Sequence, residues 1–155
     1  MTQLTANFSL HELTKSETAL RLDMPNEPGP TEIANLTTLA GEVLQKVRDH
    51  YGKGVKVNSG FRHPEVNAKV GGSKTSDHCL GQAADIEIPG VPNHELAEWI
   101  KANLDYTQLI LEFYTRGIPD SGWVHVSYVP TNLKKQDMTA VKQDGKTVYL
   151  PGLHA

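Results

Sequence analysis

Apolar residues recur at helical spacing over one long stretch of the chain. Ile33, Leu36, Leu39, Ala40, Val43, Leu44 and Val47 repeat every three or four positions up to His50, with Gly52 just beyond. That pattern predicts an amphipathic helix, with Thr31 as its cap. Upstream, Ser9 is placed to cap a short helix through Leu13, and residues 16–22 read as a further turn or two. The Pro/Gly cluster at 25–30 is a loop rather than a domain linker, because too little chain precedes it to form a core.

After Gly52 the period changes from helical to alternating. Val55-Lys56-Val57-Asn58-Ser59 reads as a short strand ended by Gly60. Pro64 suits the first turn of a helix over 63–70, which Gly71-Gly72 terminates. Residues 83–88 form a strand stopped by Pro89-Gly90, and Asn93 is expected to cap a helix through Leu104 with Leu96, Trp99 and Ile100 on its apolar face. Two more strands, 107–113 and 123–129, flank a polar loop, and Asp144-Gly145 is a two-residue hairpin turn between 138–143 and 146–150. Helices first and adjacent strands afterwards predict an α+β fold, an antiparallel sheet packed with helices on one side.

Composition narrows the setting more than the fold. A chain of 155 residues is expected to be one domain, spanning 1–155, that buries roughly 68–70% of its unfolded surface and needs no disulfide framework. The single cysteine, Cys79, allows no intrachain disulfide and fits a reducing compartment. A net charge of -3 argues against the basic surface that nucleic-acid binding requires. No stretch approaches the ~18 apolar residues of a membrane span, and the start of the chain lacks the cationic and apolar runs of a signal peptide. A monomer is expected.

Candidate chemistry concentrates in Ser76-Asp77-His78-Cys79-Leu80-Gly81-Gln82-Ala83-Ala84-Asp85. A histidine leaves a loop, a glycine lets the chain turn, and an aspartate follows on the next strand. Alternation puts Ala83, Asp85 and Glu87 on one face and the core residues Ala84, Ile86 and Ile88 on the other. In Trp123-Val124-His125-Val126-Ser127 the same rule sends Val124 and Val126 to the core and leaves Trp123, His125 and Ser127 opposite; in the strand before, Gln108, Ile110 and Glu112 share a face. If these strands are neighbours, Asp85, Glu112 and His125 share one sheet face, with His78 reaching over its end. Two histidines and an aspartate are a three-ligand set that leaves a coordination position open, the pattern of catalytic zinc. Glu112 fits a general base, a role worth about 10²–10⁴-fold. Each residue also has a plainer reading: His78 and His125 as hydrogen-bonded histidines, Asp85 as a salt-bridged residue, Glu112 as an exposed strand carboxylate, and Cys79 as an inert thiol.

These residues resemble a known family. Ser76-x-His78-x-x-Gly81-x-Ala83-x-Asp85, followed by Trp123-Val124-His125, is similar to the zinc D-Ala-D-Ala carboxypeptidases and L-alanyl-D-glutamate endopeptidases. That family includes many bacteriophage endolysins and shares its core with the hedgehog signalling domain. The segments from Asn58 to Asn67 and from Phe8 to Leu13 also resemble it, so the likeness runs from about residue 8 to residue 129. The resemblance implies zinc held by His78, Asp85 and His125. It implies that Arg62 grips a substrate carboxylate with its planar guanidinium, and that Ser76 bonds the substrate or the developing oxyanion. A structural salt bridge is the alternative for Arg62, and a turn or cap hydroxyl for Ser76. Trp123 becomes a cleft wall or packs behind it. Many relatives carry the catalytic carboxylate three residues before the second histidine, where this chain has Gly122. Glu112, at the end of the preceding strand, takes its place, with Asp120 in reserve.

The function so implied is hydrolysis of peptide bonds in bacterial peptidoglycan stems, either removal of terminal D-Ala or cleavage of L-Ala–D-Glu, by a phage or prophage lysis enzyme. Such an enzyme is made in the host cytoplasm and acts in the periplasm or wall after release by a separate holin. The alternative is a zinc-stabilised binding module without catalysis. The terminal hairpin is too small to be a separate wall-binding domain and is a candidate border of the cleft.

Overall fold

The computed structural model describes residues 2–155. Two short helices open the chain, α1 (Leu10–Thr14), capped by Ser9 as expected, and α2 (Glu17–Arg21), for which Ser16 serves as the cap. Ser9 Oγ accepts from the Glu12 N–H at 3.2 Å, and Ser16 Oγ from the Ala19 N–H at 3.1 Å. The long helix begins earlier than Thr31 suggests. Gly29 is its cap residue and Pro30 its first helical position, where a fixed φ and a missing N–H carry no cost. It runs through α3 (Pro30–Leu39), a π-helical segment (Ala40–Leu44) and α4 (Gln45–Tyr51) to a left-handed Gly52. Leu36, Leu39 and Leu44 are fully buried, each contributing about 1.5–3 kcal/mol of apolar burial.

Beyond it come β1 (Lys56–Ser59), α5 (Pro64–Lys69), a 3₁₀ turn (Asp77–Leu80), β2 (Ala83–Glu87) and α6 (Asn93–Asn103). Then follow β3 (Gln108–Glu112), β4 (Trp123–Ser127), β5 (Gln136–Gln143) and β6 (Lys146–Pro151). Asn93 is the first residue of α6 rather than its cap, which is Pro92. Its buried amide has another task, described below.

The six strands form one sheet in the order β1-β2-β4-β3-β5-β6, which with the helices makes the fold α+β. Every pairing is antiparallel except β3 with β5, so the sheet is mixed. Thr107 accounts for that exception. Its buried hydroxyl donates to the Asn132 carbonyl and accepts from the Val129 N–H, both at 2.8 Å, and its carbonyl takes the Gln136 N–H. The 128–135 segment is thereby folded back to the start of β3, and β5 leaves in the same direction as β3. The hairpin turn is the expected one, with φ of 51° at Asp144 and 76° at Gly145.

Ala84, Ile86, Leu109, Leu111, Val124 and Val126 are all buried and join the long helix and α6 in one apolar cluster. The opposite sheet face is left for the polar residues between them.

Candidate active site

Register brings the predicted side chains together. Asp85 on β2 lies opposite His125 on β4, which lies opposite Ile110 on β3; two positions along, on the same face, Glu112 faces Trp123. His78 enters from the 3₁₀ turn beyond the end of β2. Ser76 caps that turn, its Oγ accepting from the His78 N–H at 3.2 Å, and left-handed Gly81 closes it. The cap-hydroxyl alternative for Ser76 is therefore the contact present, although the residue also lines the cleft.

His78 is 3% exposed, and its Nδ1 donates to the Gly60 carbonyl at 2.8 Å. The bond fixes the ring so that Nε2 faces Asp85 Oδ1 at 3.4 Å, while His125 Nδ1 approaches the same oxygen at 3.0 Å. One ligand atom from each of the three residues lies within 4.8 Å of the others. Two imidazole nitrogens and a carboxylate oxygen at that separation, with one imidazole oriented through its second nitrogen, suit a zinc ion.

The electrostatics follow from this packing. Burial works against charge on Asp85, but hydrogen bonds and positive charge from His125 and His78 outweigh it and hold the carboxyl well below the usual carboxylate range. Burial likewise disfavours a charged His125, yet the hydrogen bond to Asp85 and the negative charges of Asp85 and Glu112 raise its pKa. Glu112 is shifted the other way from Asp85. Burial, reinforced by the charge of Asp85, raises its pKa against the opposing pull of His125, the Trp123 hydrogen bond and Arg62.

Glu112 is held in place by Trp123, whose Nε1 donates to its Oε2 at 2.7 Å. Trp123 is thus both a wall of the cleft and the support of the carboxylate. Gly122 explains why no carboxylate stands three residues before His125. Its φ is +65°, and a Cβ there would lie 1.9 Å from the Glu112 carbonyl oxygen. Asn93 secures the same loop, its Nδ2 donating to the carbonyls of Ser121 at 2.9 Å and Gly122 at 3.2 Å. Gly122→Ala should therefore destabilise the protein by at least ~2 kcal/mol in urea titration, with turnover falling as Glu112 and Trp123 lose register. Asp120 is exposed in that loop and does not line the cleft.

The cleft encloses about 440 Å³. Its floor is the sheet face around Asp85, His125 and Ile110, and one wall is the 71–77 loop. Arg62 stands at the β1 side. No carboxylate pairs with it among the described residues, and its Nε is buried without a hydrogen-bond partner. A structural salt bridge is thus not what Arg62 makes. At the far side stands Tyr149 of β6, which local sequence pattern did not mark as a site residue. Cys79 points away into a different surface hollow, and burial raises its thiol pKa.

A model of the Peptidase M15 family matches residues 6–127, a span that includes Arg62, His78, Asp85, Glu112 and His125 and ends with β4. Comparison with curated proteins gives no match.

Proposed function

The chain belongs to the Peptidase M15 family, and from that premise we propose that it is a zinc peptidase acting on the stem peptides of bacterial peptidoglycan. The observation that carries the reading is the convergence of His78, Asp85 and His125 on one face of the sheet with Glu112 beside them. His78, Asp85 and His125 would hold the metal. Zinc, when bound there, polarises a carbonyl and makes a water more acidic.

The chain's own residues supply the rest. Glu112 takes a proton from the attacking water and returns it to the leaving nitrogen, a role open to a carboxylate that lines the cleft beside the triad. Trp123 fixes its direction through Oε2. Arg62 takes the carboxylate on the amine side of the scissile bond, which D-Ala–D-Ala and L-Ala–D-Glu both carry, so either bond suits the cleft. Among the described residues, no helix is long and apolar enough to cross a membrane.

Mass spectrometry of purified peptidoglycan incubated with the protein tests the reading, with chelator and zinc add-back as controls. New fragments that require zinc are expected, and their masses identify the bond. Intact wall from several chemotypes, with zinc bound stoichiometrically, would leave a binding module instead. In the same assay with soluble peptides, Arg62→Ala should raise KM about tenfold or more, because a charge-assisted bond to carboxylate is worth about 1.5–3 kcal/mol. Unchanged kinetics would remove Arg62 from the site.

A further inference from the structure

We propose that the β5–β6 hairpin forms a subsite for the acyl side of the scissile bond, with Tyr149 as the residue that contacts it; the inference rests on the peptidase reading above. The hairpin lies beyond the residues that the family model matches, yet it is continuous with the floor of the cleft.

Register shows how. Glu112 on β3 pairs with Ala140 on β5, and Ala140 pairs with Tyr149 on β6, so the three side chains stand in a row on the cleft face. Ala140 is fully buried and ends at Cβ, which leaves the phenol of Tyr149 room to lean over it toward Glu112. Tyr149 lines the same cavity as the metal-binding triad while remaining 52% exposed. It has no structural task that would explain a large aromatic on an edge strand. Its hydroxyl makes no hydrogen bond among the described residues, and its ring stacks on no other.

The order of strands gives a direction. Arg62 stands at the β1 side, the triad at β2 and β4, and Tyr149 at the opposite edge. A peptide with its amine-side carboxylate at Arg62 crosses the triad and runs over Ile110 and Ala140 to Tyr149. Three strand spacings and a two-residue offset along the strands, roughly 16 Å together, separate the backbone of His125 from that of Tyr149. The tyrosine side chain closes somewhat under half of this, and about two to three extended residues, the one bearing the scissile carbonyl included, cover the remainder. Tyr149 therefore meets the group one or two units beyond the scissile carbonyl. In a D-Ala–D-Ala substrate that group is a further stem residue; in an L-Ala–D-Glu substrate it is the muramoyl end. Both are N-acyl extensions of a dipeptide, and both present flat or aliphatic surface to a ring face.

The test uses zinc-loaded protein and two ligand series, D-Ala–D-Ala and L-Ala–D-Glu, each free and N-acylated by one and two units, with muramoyl in the second series. Affinity by calorimetry, kcat and KM are measured for wild type, Tyr149→Ala and Tyr149→Phe, with zinc content and circular dichroism confirming the fold. Extension should tighten binding to the wild type in one series, which identifies the acyl group. Tyr149→Ala should lose roughly tenfold of that gain, in Kd and KM rather than kcat, and Tyr149→Phe should keep most of it. A gain fully retained in Tyr149→Ala overturns the subsite even where hydrolysis is robust. A Tyr149-dependent gain in affinity without hydrolysis keeps the subsite and removes the peptidase reading. No affinity for either series overturns both.

Discussion

Glu112→Gln should lower kcat by about 10²–10⁴-fold, the range of a lost general base, while the protein retains its zinc and becomes more stable in the metal-free form. The first half follows from position. Glu112 lines the cleft beside the triad, and Gln cannot take up a proton from water, yet it can still accept the Trp123 N–H that holds the side chain. The second half follows from charge. Burial and the charge of Asp85 raise the pKa of Glu112 in the folded protein. The folded state therefore binds this proton more tightly than the unfolded chain does, and keeping Glu112 ionised costs stability above its folded pKa. The cost fades as pH falls through that value. An uncharged amide removes it, so urea midpoints of the metal-free proteins should separate at neutral pH and converge in acid. A variant that keeps its turnover would move the base elsewhere.

The legible parts of this site are those written in local periodicity. Alternation along β2, β3 and β4 is a period-two property of five residues, so the shared face of Asp85, Glu112 and His125 follows once the strands are neighbours. The long helix was legible in its apolar spacing, and its start was marked by Pro30, a stronger signal than the hydroxyl of Thr31. What local pattern does not carry is the place of the hairpin. Asp144-Gly145 announces a hairpin but not its neighbour; that depends on Thr107 gripping the 128–135 segment, a contact between residues 22 and 25 positions apart. Tyr149 was invisible for the same reason, since its face matters only after β5 has joined β3 in parallel. Asn93 misled in another way. An asparagine before an apolar run is a good cap by residue type, but here the carbonyls of Ser121 and Gly122 claim its amide.

Asp85→Asn should have the opposite effect on stability from Glu112→Gln, although both exchange a carboxylate for its amide. Hydrogen bonds and charge from the two histidines overcome the cost of burial and hold Asp85 below the usual carboxylate range. A depressed pKa means that the folded state favours the ion, so Asp85 contributes stability above its unfolded pKa, near 3.9. That contribution is lost as pH falls through the lower folded value. Asparagine forfeits it at neutral pH, and the metal-free variant should unfold at lower urea than the wild type. Zinc sharpens the contrast. Loss of a residue that merely supports a metal ligand costs about 10–100-fold in affinity, so loss of a ligand itself should exceed about 100-fold. At a zinc concentration 100 times the wild-type Kd, the wild type gains ~2.7 kcal/mol from the metal, whereas Asp85→Asn gains little. Metal analysis after dialysis, paired with urea titration with and without zinc, reads both quantities. Zinc retained at full stoichiometry by Asp85→Asn would exclude Asp85 as a ligand and leave its histidine contacts as a purely structural network. Because zinc binds the neutral imidazole, and Asp85 and Glu112 raise the pKa of His125, wild-type affinity should also weaken as the medium is acidified through that value.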